Sequence, residues 1–245
     1  MRKSAAELAT MRRAGRVVAE MHARIRDAIR PGVTTLQLDA IGRHVLERNG
    51  ARSNFLGYHG YPAVICASPN GMIVHGIPNE RRLEEGDIVS IDCGAIIDGY
   101  HGDAAFTAPV GTVSVEAQRL IDTTHASLDA AIAAMVTGNR LSDIGHAVQG
   151  VAEAAGFAIV REYVGHGIGT AMHEAPDVPN YGPPGKGPKL VPGVVLAVEP
   201  MLNAGTEETL LLDDGWSVVT ADGSLSAHAE HTIAMTDDGP EILTA

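Results

Sequence analysis

Leu8, Met11, Val18, Met21, Ile25 and Ile29 fall at helical intervals, the period of one buried helix face. Ser4-Ala-Ala-Glu7 ahead of them is a capping box, and Pro31-Gly32 stops the run. A second helix follows, with Thr34 or Thr35 as N-cap, Leu36, Leu38, Ile41, Val45 and Leu46 as its apolar positions, and Asn49-Gly50 as its end. From Asn54 to Pro78 the texture changes to loop and short strand. Asp87-Ile-Val-Ser-Ile-Asp92 then climbs as a strand, Asp98-Gly99 marks a tight turn, and Asp103-Ala-Ala-Phe-Thr107 runs back, giving a hairpin with an acid on each arm. Two further helical stretches, Ser114–Met135 and Leu141–Ala155, repeat the order of helix, helix, then strands. Phe157–Val164 reads as a strand delivering Gly165-His-Gly-Ile-Gly169, and Gly193–Pro200 as another. The last strand follows Glu230 and ends at Asp238-Gly239. The class this predicts is α+β.

The hairpin has an echo about a hundred residues downstream. Gly86-Asp-Ile-Val-Ser-Ile-Asp92 and Gly193-Val-Val-Leu-Ala-Val-Glu199 each place an acid six positions after a glycine, at the end of an apolar run. The returning arms match as well, Asp103-Ala-Ala-Phe-Thr against Glu230-His-Thr-Ile-Ala. A single pair of acids on a hairpin is as readily a solvated strand end. Four at mirrored positions point to an internal duplication, with halves of roughly 1–111 and 112–245 packed about a pseudo-two-fold axis so that the carboxylates converge. Four anions cannot share a low-dielectric site unaided, since an unpaired buried charge costs several kcal/mol. Two divalent cations would neutralise them.

Composition narrows the picture. The 245 residues, 45% hydrophobic with 28 glycines, suit one large turn-rich catalytic domain or two fused halves. No apolar run approaches a membrane span and the amino terminus has no secretory core, so the expectation is a cytoplasmic protein with no membrane partner. Cys66 and Cys93 form no close-spaced metal or redox motif. A formal charge of -12 argues against an extended or sequence-specific nucleic-acid surface. The charge is uneven, however: Arg2, Lys3, Arg12, Arg13, Arg16, Arg24, Arg26 and Arg30 crowd into the first helix region. A solvated face is the plainer reading, and a transient contact with ribosomal RNA the sharper one.

His166, flanked by glycines that let the backbone turn sharply and leave its imidazole unobstructed, is the fifth metal-ligand candidate. Gly165-x-Gly-x-Gly lacks the lysine and the spacing of a phosphate loop. His173 follows closely enough to stand above the metals without binding them. The loop Asn54-Phe-Leu-Gly-Tyr-His-Gly-Tyr-Pro62 makes Tyr58 and Tyr61 pocket-wall candidates. His75, before Gly-Ile-Pro78, is a candidate donor to a substrate.

Taken together, Tyr58-His-Gly-Tyr-Pro, His75-Gly-Ile-Pro, Ile91-Asp-Cys-Gly, His101-Gly-Asp, Gly165-His-Gly-Ile-Gly with His173-Glu, Val198-Glu-Pro-Met, Asp214-Gly-Trp and Glu230-His-Thr resemble the bacterial type I methionine aminopeptidases, in order over nearly the whole chain. The resemblance implies the pita-bread fold, a curved antiparallel sheet with helices outside, here without the amino-terminal extension that some relatives carry. It implies removal of the N-terminal methionine from newly made polypeptides by a dinuclear site of cobalt, manganese, iron or zinc. Asp103 and Glu230 would bridge the metals, Asp92 would complete one, and His166 with Glu199 the other. Glu199 would also be the proton acceptor, with His75 and His173 contacting the substrate and its tetrahedral intermediate. Tyr58, Tyr61, Cys66 and Trp216 match positions lining the methionine side-chain pocket. Phe55, Val74, Met172 and His228 depart from the usual pattern, at what reads as the pocket rim. A monomer acting on nascent chains is the default expectation. The alternatives are a proline-specific aminopeptidase or dipeptidase of the same fold and a non-catalytic binding protein on that scaffold, although the latter commonly loses ligands.

Overall fold

The computed structural model describes residues 2–245. Four helices form its outer layer: α1 Ala5–Ala28, α2 Thr35–Arg48, α3 Val115–Ala134 and α4 Leu141–Ala155. Their ends are set by the expected local chemistry. The Ser4 amide donates to Glu7 Oε2 at 2.7 Å, and the Gln37 amide donates to Thr34 Oγ1 at 3.1 Å. Gly156, at φ +79°, closes α4 in the left-handed conformation. No helix among the described residues is long and apolar enough to cross a membrane.

The inner layer is antiparallel throughout and consists of four sheets. Arg52–Ser53 and Ile65–Pro69 flank Ile88–Ile97, which also pairs with Tyr100–Pro109. A five-stranded sheet runs Gly239–Ile242, His231–Thr236, Val195–Val198, Gly165–Gly167, Glu174–Val178. Two three-stranded sheets complete the layer: Ser226–His228, Met201–Asn203 and Ala158–Ile159, and Thr209–Leu211, Val218–Thr220 and Met72–Val74. The first hairpin closes as expected on Asp98 and Gly99, both at positive φ, the geometry of a primed two-residue turn.

Strand alternation separates two faces. Ile91, Cys93, Ala104 and Phe106 point to the helix layer and pack with Val18, Met21 and Ile25 of α1. Leu196, Val198, Ile233 and Met235 do the same in the second half, against Leu128 of α3 and Ile144 and Val148 of α4. Each fully buried side chain of this size contributes about 1.5–3 kcal/mol. The opposite faces meet at the joint between the halves. There Ala105 and Glu230 exchange backbone hydrogen bonds of 3.3 and 2.8 Å. Beside them the Asp103 amide donates to Thr232 Oγ1 at 2.9 Å, and the His228 amide donates to Thr107 Oγ1 at 2.9 Å. This two-layer, approximately two-fold arrangement is the pita-bread fold expected from the sequence.

Two local expectations are corrected. Only Ala158–Ile159 of the stretch 157–164 is strand, and Tyr163-Val164 belongs to the cavity lining. The chain does not finish its sheet at Asp238-Gly239; it turns there and returns as Gly239–Ile242. The basic amino-terminal region is also less free than its residue count implies. Arg12 makes a two-pronged pair with Glu241, Arg13 pairs with Asp98, and Lys3 pairs with Glu174 at 2.7 Å.

Candidate active site

A cavity of about 180 Å³ opens on the inner face. Asp92, Asp103, His166, Glu199 and Glu230 all line it, as do Tyr58, Tyr61, Cys66, His75, His173 and Trp216, so the fold gathers every site residue expected from the sequence. Asp92 lies opposite Ala105 and Asp103 opposite Gly94, which makes the two acids diagonal neighbours on one face. In the second half Val198 lies opposite His231, so Glu199 and Glu230 project from just beyond the ends of their strands.

His166 is held differently from the expectation. Gly165-His-Gly167 is not a sharp turn but a buried strand between Val195–Val198 and Glu174–Val178. Its glycines serve close approach: a Cβ on Gly165 would sit 3.2 Å from Val178 Cβ, and one on Gly167 would sit 2.5 Å from the Ala175 carbonyl oxygen. The Nδ1 of His166 lies 2.9 Å from the Gly167 carbonyl, which can only accept, so Nδ1 carries the proton. The lone pair of Nε2 is thereby turned toward Glu199, whose Oε1 is 3.5 Å away.

The donor set fits divalent metal. One ligand atom each from Asp103, His166 and Glu230 fall within 4.8 Å of one another, and all three residues are buried. Asp92 Oδ1 and Asp103 Oδ1 are buried oxygens with no hydrogen-bond partner. Burial first, and then the charge of neighbouring carboxylates, pushes Asp103, Glu199 and Glu230 well above the usual carboxylate range. Burial raises Asp92 as well. His166 is depressed to about 4, by burial and then by His173, so its imidazole is neutral at ordinary pH. Crowded carboxylates and a neutral imidazole with unused atoms facing inward suit a doubly charged ion.

The walls are apolar with few polar points. The Tyr61 hydroxyl donates to the carbonyls of Ile65 and Gly76, at 3.1 and 2.9 Å, which fixes its ring edge-on to Trp216 with centroids 5.0 Å apart. Cys66, Phe55 and Met172 pack with it. His75 sits at φ +61°, a left-handed conformation costing about 1–3 kcal/mol in a residue with a Cβ, and stands edge-on between Tyr163 and Trp216. His173 lies on the rim, its Nδ1 2.8 Å from the Tyr58 hydroxyl and its ring 4.3 Å from that of His166.

Tyr163 and Val164 are lining residues that sequence reasoning missed, because they were assigned to a strand. Val74 is not on the rim; it packs behind with Ile73, Val160 and Val218. Nor does His228 line the rim. It is buried behind Glu199.

A model of metallopeptidase family M24 matches residues 9–237. In sequence the chain is similar to methionine aminopeptidase 1 of Mycobacterium tuberculosis (strain CDC 1551 / Oshkosh), 55% identical over 249 residues that cover 99% of this chain and 94% of the relative. In structure it is similar to methionine aminopeptidase from Rickettsia prowazekii, with a TM-score of 0.98 at 41% identity, covering 100% of this chain and 99% of the other. Prolidase from Pyrococcus furiosus superposes with a TM-score of 0.80 at 20% identity, over 100% of this chain and 65% of its own, a likeness of fold alone.

Proposed function

The chain belongs to metallopeptidase family M24, among its methionine aminopeptidases, and from that premise we propose how its cavity divides the work. It removes the N-terminal methionine from newly made polypeptides by metal-assisted hydrolysis of the first peptide bond. The observation that carries the division of labour is the convergence, at the base of one apolar-walled cavity, of four carboxylates and a neutral imidazole with unpaired atoms turned inward.

Asp92, Asp103, His166, Glu199 and Glu230 would hold two divalent ions, four negative charges against four positive. An oxygen-rich set with one nitrogen suits manganese, iron, cobalt or zinc. When bound, the metal supplies Lewis acidity and a water acidic enough to yield hydroxide near neutral pH. Glu199, which keeps part of its surface open to the cavity, takes the proton and returns it to the leaving amine. With the Tyr58 hydroxyl donating to Nδ1, His173 keeps its proton on Nε2, where it donates to the developing oxyanion together with His75. Tyr61, Cys66 and Trp216 with Tyr58 receive the unbranched methionine side chain. The free amine would sit at the Asp92 end of the ligand set, which would confine cleavage to the first bond. Contact of α1 with ribosomal RNA would rest chiefly on cations such as Arg16, which is exposed and has no ion-pair partner among the described residues.

Turnover of Met-Gly-type peptides set against Xaa-Pro peptides tests the substrate reading. Faster release of methionine is expected, and faster cleavage before proline would reverse the assignment. Glu199→Gln and His166→Ala are each expected to abolish release, and undiminished activity in either would remove that residue from the scheme.

A further inference from the structure

Glu199 is asked to do two things with one carboxylate, and the structure gives its two oxygens different neighbours. Oε1 faces His166 Nε2 at 3.5 Å, and Oε2 faces His228 Nε2 at 3.8 Å. His166 cannot donate to Glu199, because its proton is on Nδ1 against the Gly167 carbonyl. The amide of Asn180 reaches the Glu199 backbone carbonyl, not its side chain. His228 is buried, and its Nε2 is among the few buried side-chain atoms with no hydrogen-bond partner. Such an atom is costly unless it is satisfied when the site is in its working arrangement. The separation is about 1 Å beyond an ordinary hydrogen bond.

The backbone fixes this approach. The Ala229 amide donates to the Pro200 carbonyl at 3.1 Å, Met201 lies opposite His228 in the sheet, and Thr107 Oγ1 donates to the His228 carbonyl at 2.8 Å. The imidazole is therefore anchored from both halves and aimed at one oxygen.

We propose that His228 is a positioning residue: it donates from Nε2 to Glu199 Oε2, and so leaves Oε1 to face the metal-holding cluster while Oε2 is held in place for proton transfer. This rests on the reading of Glu199 given above. His228 is one of the positions where the chain departs from the familiar pattern. On this inference the histidine supplies a donor beside the proton acceptor, and is not a change at the substrate rim.

The test uses the full-length protein with His228→Leu, which keeps volume and removes the donor, and His228→Gln, whose amide nitrogen reaches a similar point. Folding is checked by thermal melting, metal affinity by calorimetry with manganese, and methionine release from Met-Gly-type peptides at saturating metal. Loss of an orienting partner of this kind typically costs 10–100-fold, so the leucine variant is expected to lose ~10-fold or more in kcat with KM and manganese affinity changed less than ~3-fold. The glutamine variant is expected to stay within ~5-fold of wild type in kcat, as a donor should. Nitrogen-15 spectra of the wild type loaded with zinc, which is diamagnetic and keeps Glu199 ionised, are expected to show the His228 ring protonated on Nε2.

Wild-type kcat in the leucine variant would overturn the inference, as would equal impairment of both variants or a His228 ring protonated on Nδ1 alone. A leucine variant that loses manganese affinity ~30-fold but recovers full kcat at saturation would make His228 a ligand and overturn it too. Wild-type protein that releases no methionine in the same assay would instead defeat the proposed function.

Discussion

The two halves present their acids in different ways. In the first, Asp92 and Asp103 stand within one uninterrupted hairpin of two ten-residue strands, a register apart on the same face. In the second, the corresponding strands are shorter, Val195–Val198 and His231–Thr236, and Glu199 and Glu230 lie beyond their ends with residues 200–229 inserted between. That insertion carries Trp216 and His228, and the strand carrying His166 pairs with Val195–Val198 ahead of it. One half thus keeps both of its acids within a single long hairpin and brings Tyr58, Tyr61 and Cys66 to the cavity wall, while the other has shorter strands and brings His166 and Trp216, with His228 behind Glu199. The contrast places long continuous pairing on one side of the cavity and short strands joined by a long connection on the other.

The largest expected effect probes whether the halves still share the charge burden equally. Asp103→Asn and Glu230→Gln, one from each half, are each expected to lower methionine release on the order of 10³-fold. Because both carboxyls are pushed up by burial and by like-charged neighbours, each variant should also raise the melting temperature of the metal-free protein, by about 2–4 °C for each kcal/mol of repulsion relieved. A rise in only one of the two would show that the burden sits in one half.

A smaller effect is expected where the second half adds a ring, Trp216, to a wall that Tyr58, Tyr61 and Cys66 of the first also build. Trp216→Ala removes the ring that stands against Tyr61, and KM for Met-Gly-type peptides should rise ~10-fold with kcat within about threefold of wild type. A fall in kcat with KM unchanged would mean that the insertion serves the chemistry and not the fit.

The smallest effect lies in the helix layer, where His22 of α1 is buried with its Nε2 2.9 Å from the Ala104 carbonyl, while His125 of α3 is only half-buried. Burial depresses His22 from 6.5 to about 3. Between those values the unfolded chain takes up a proton that the folded chain refuses, so stability falls as pH drops through that window, by up to about 1.4 kcal/mol per pH unit, and the penalty is absent above it. Urea melts of His22→Gln should show a shallower loss from pH 6 to 4 than wild type. His125→Gln should flatten it less, and the reverse order would break the parallel between the two helices.

Much of this was legible before any coordinates, for reasons that differ by element. The acids announced themselves because an outgoing and a returning arm each carry one and the pattern occurs twice, the first two helices because caps and period agreed, and the next two because they repeat that order. His166 was found for the wrong reason: glycines on either side of it suggest a turn in one dimension, whereas their purpose is to let three strands pack without side chains. Tyr163 and Val164 were missed because Phe157–Val164 looks like a strand by propensity, and tertiary packing keeps only Ala158–Ile159 in a ladder. The closing strand was missed because Gly239-Pro240 reads as an ending, yet it pairs with Met235 and Thr236 at a sheet edge where proline is tolerated. The left-handed backbone of His75 has no signal in its side chain at all.

The joint between the halves has a consequence for how such a molecule can come into being. Glu230 is at once one of the cavity's buried carboxylates and, through its own amide and carbonyl, the rivet that holds Ala105 of the other half. Neither half owns a complete cage, and the act of docking is the act of building it.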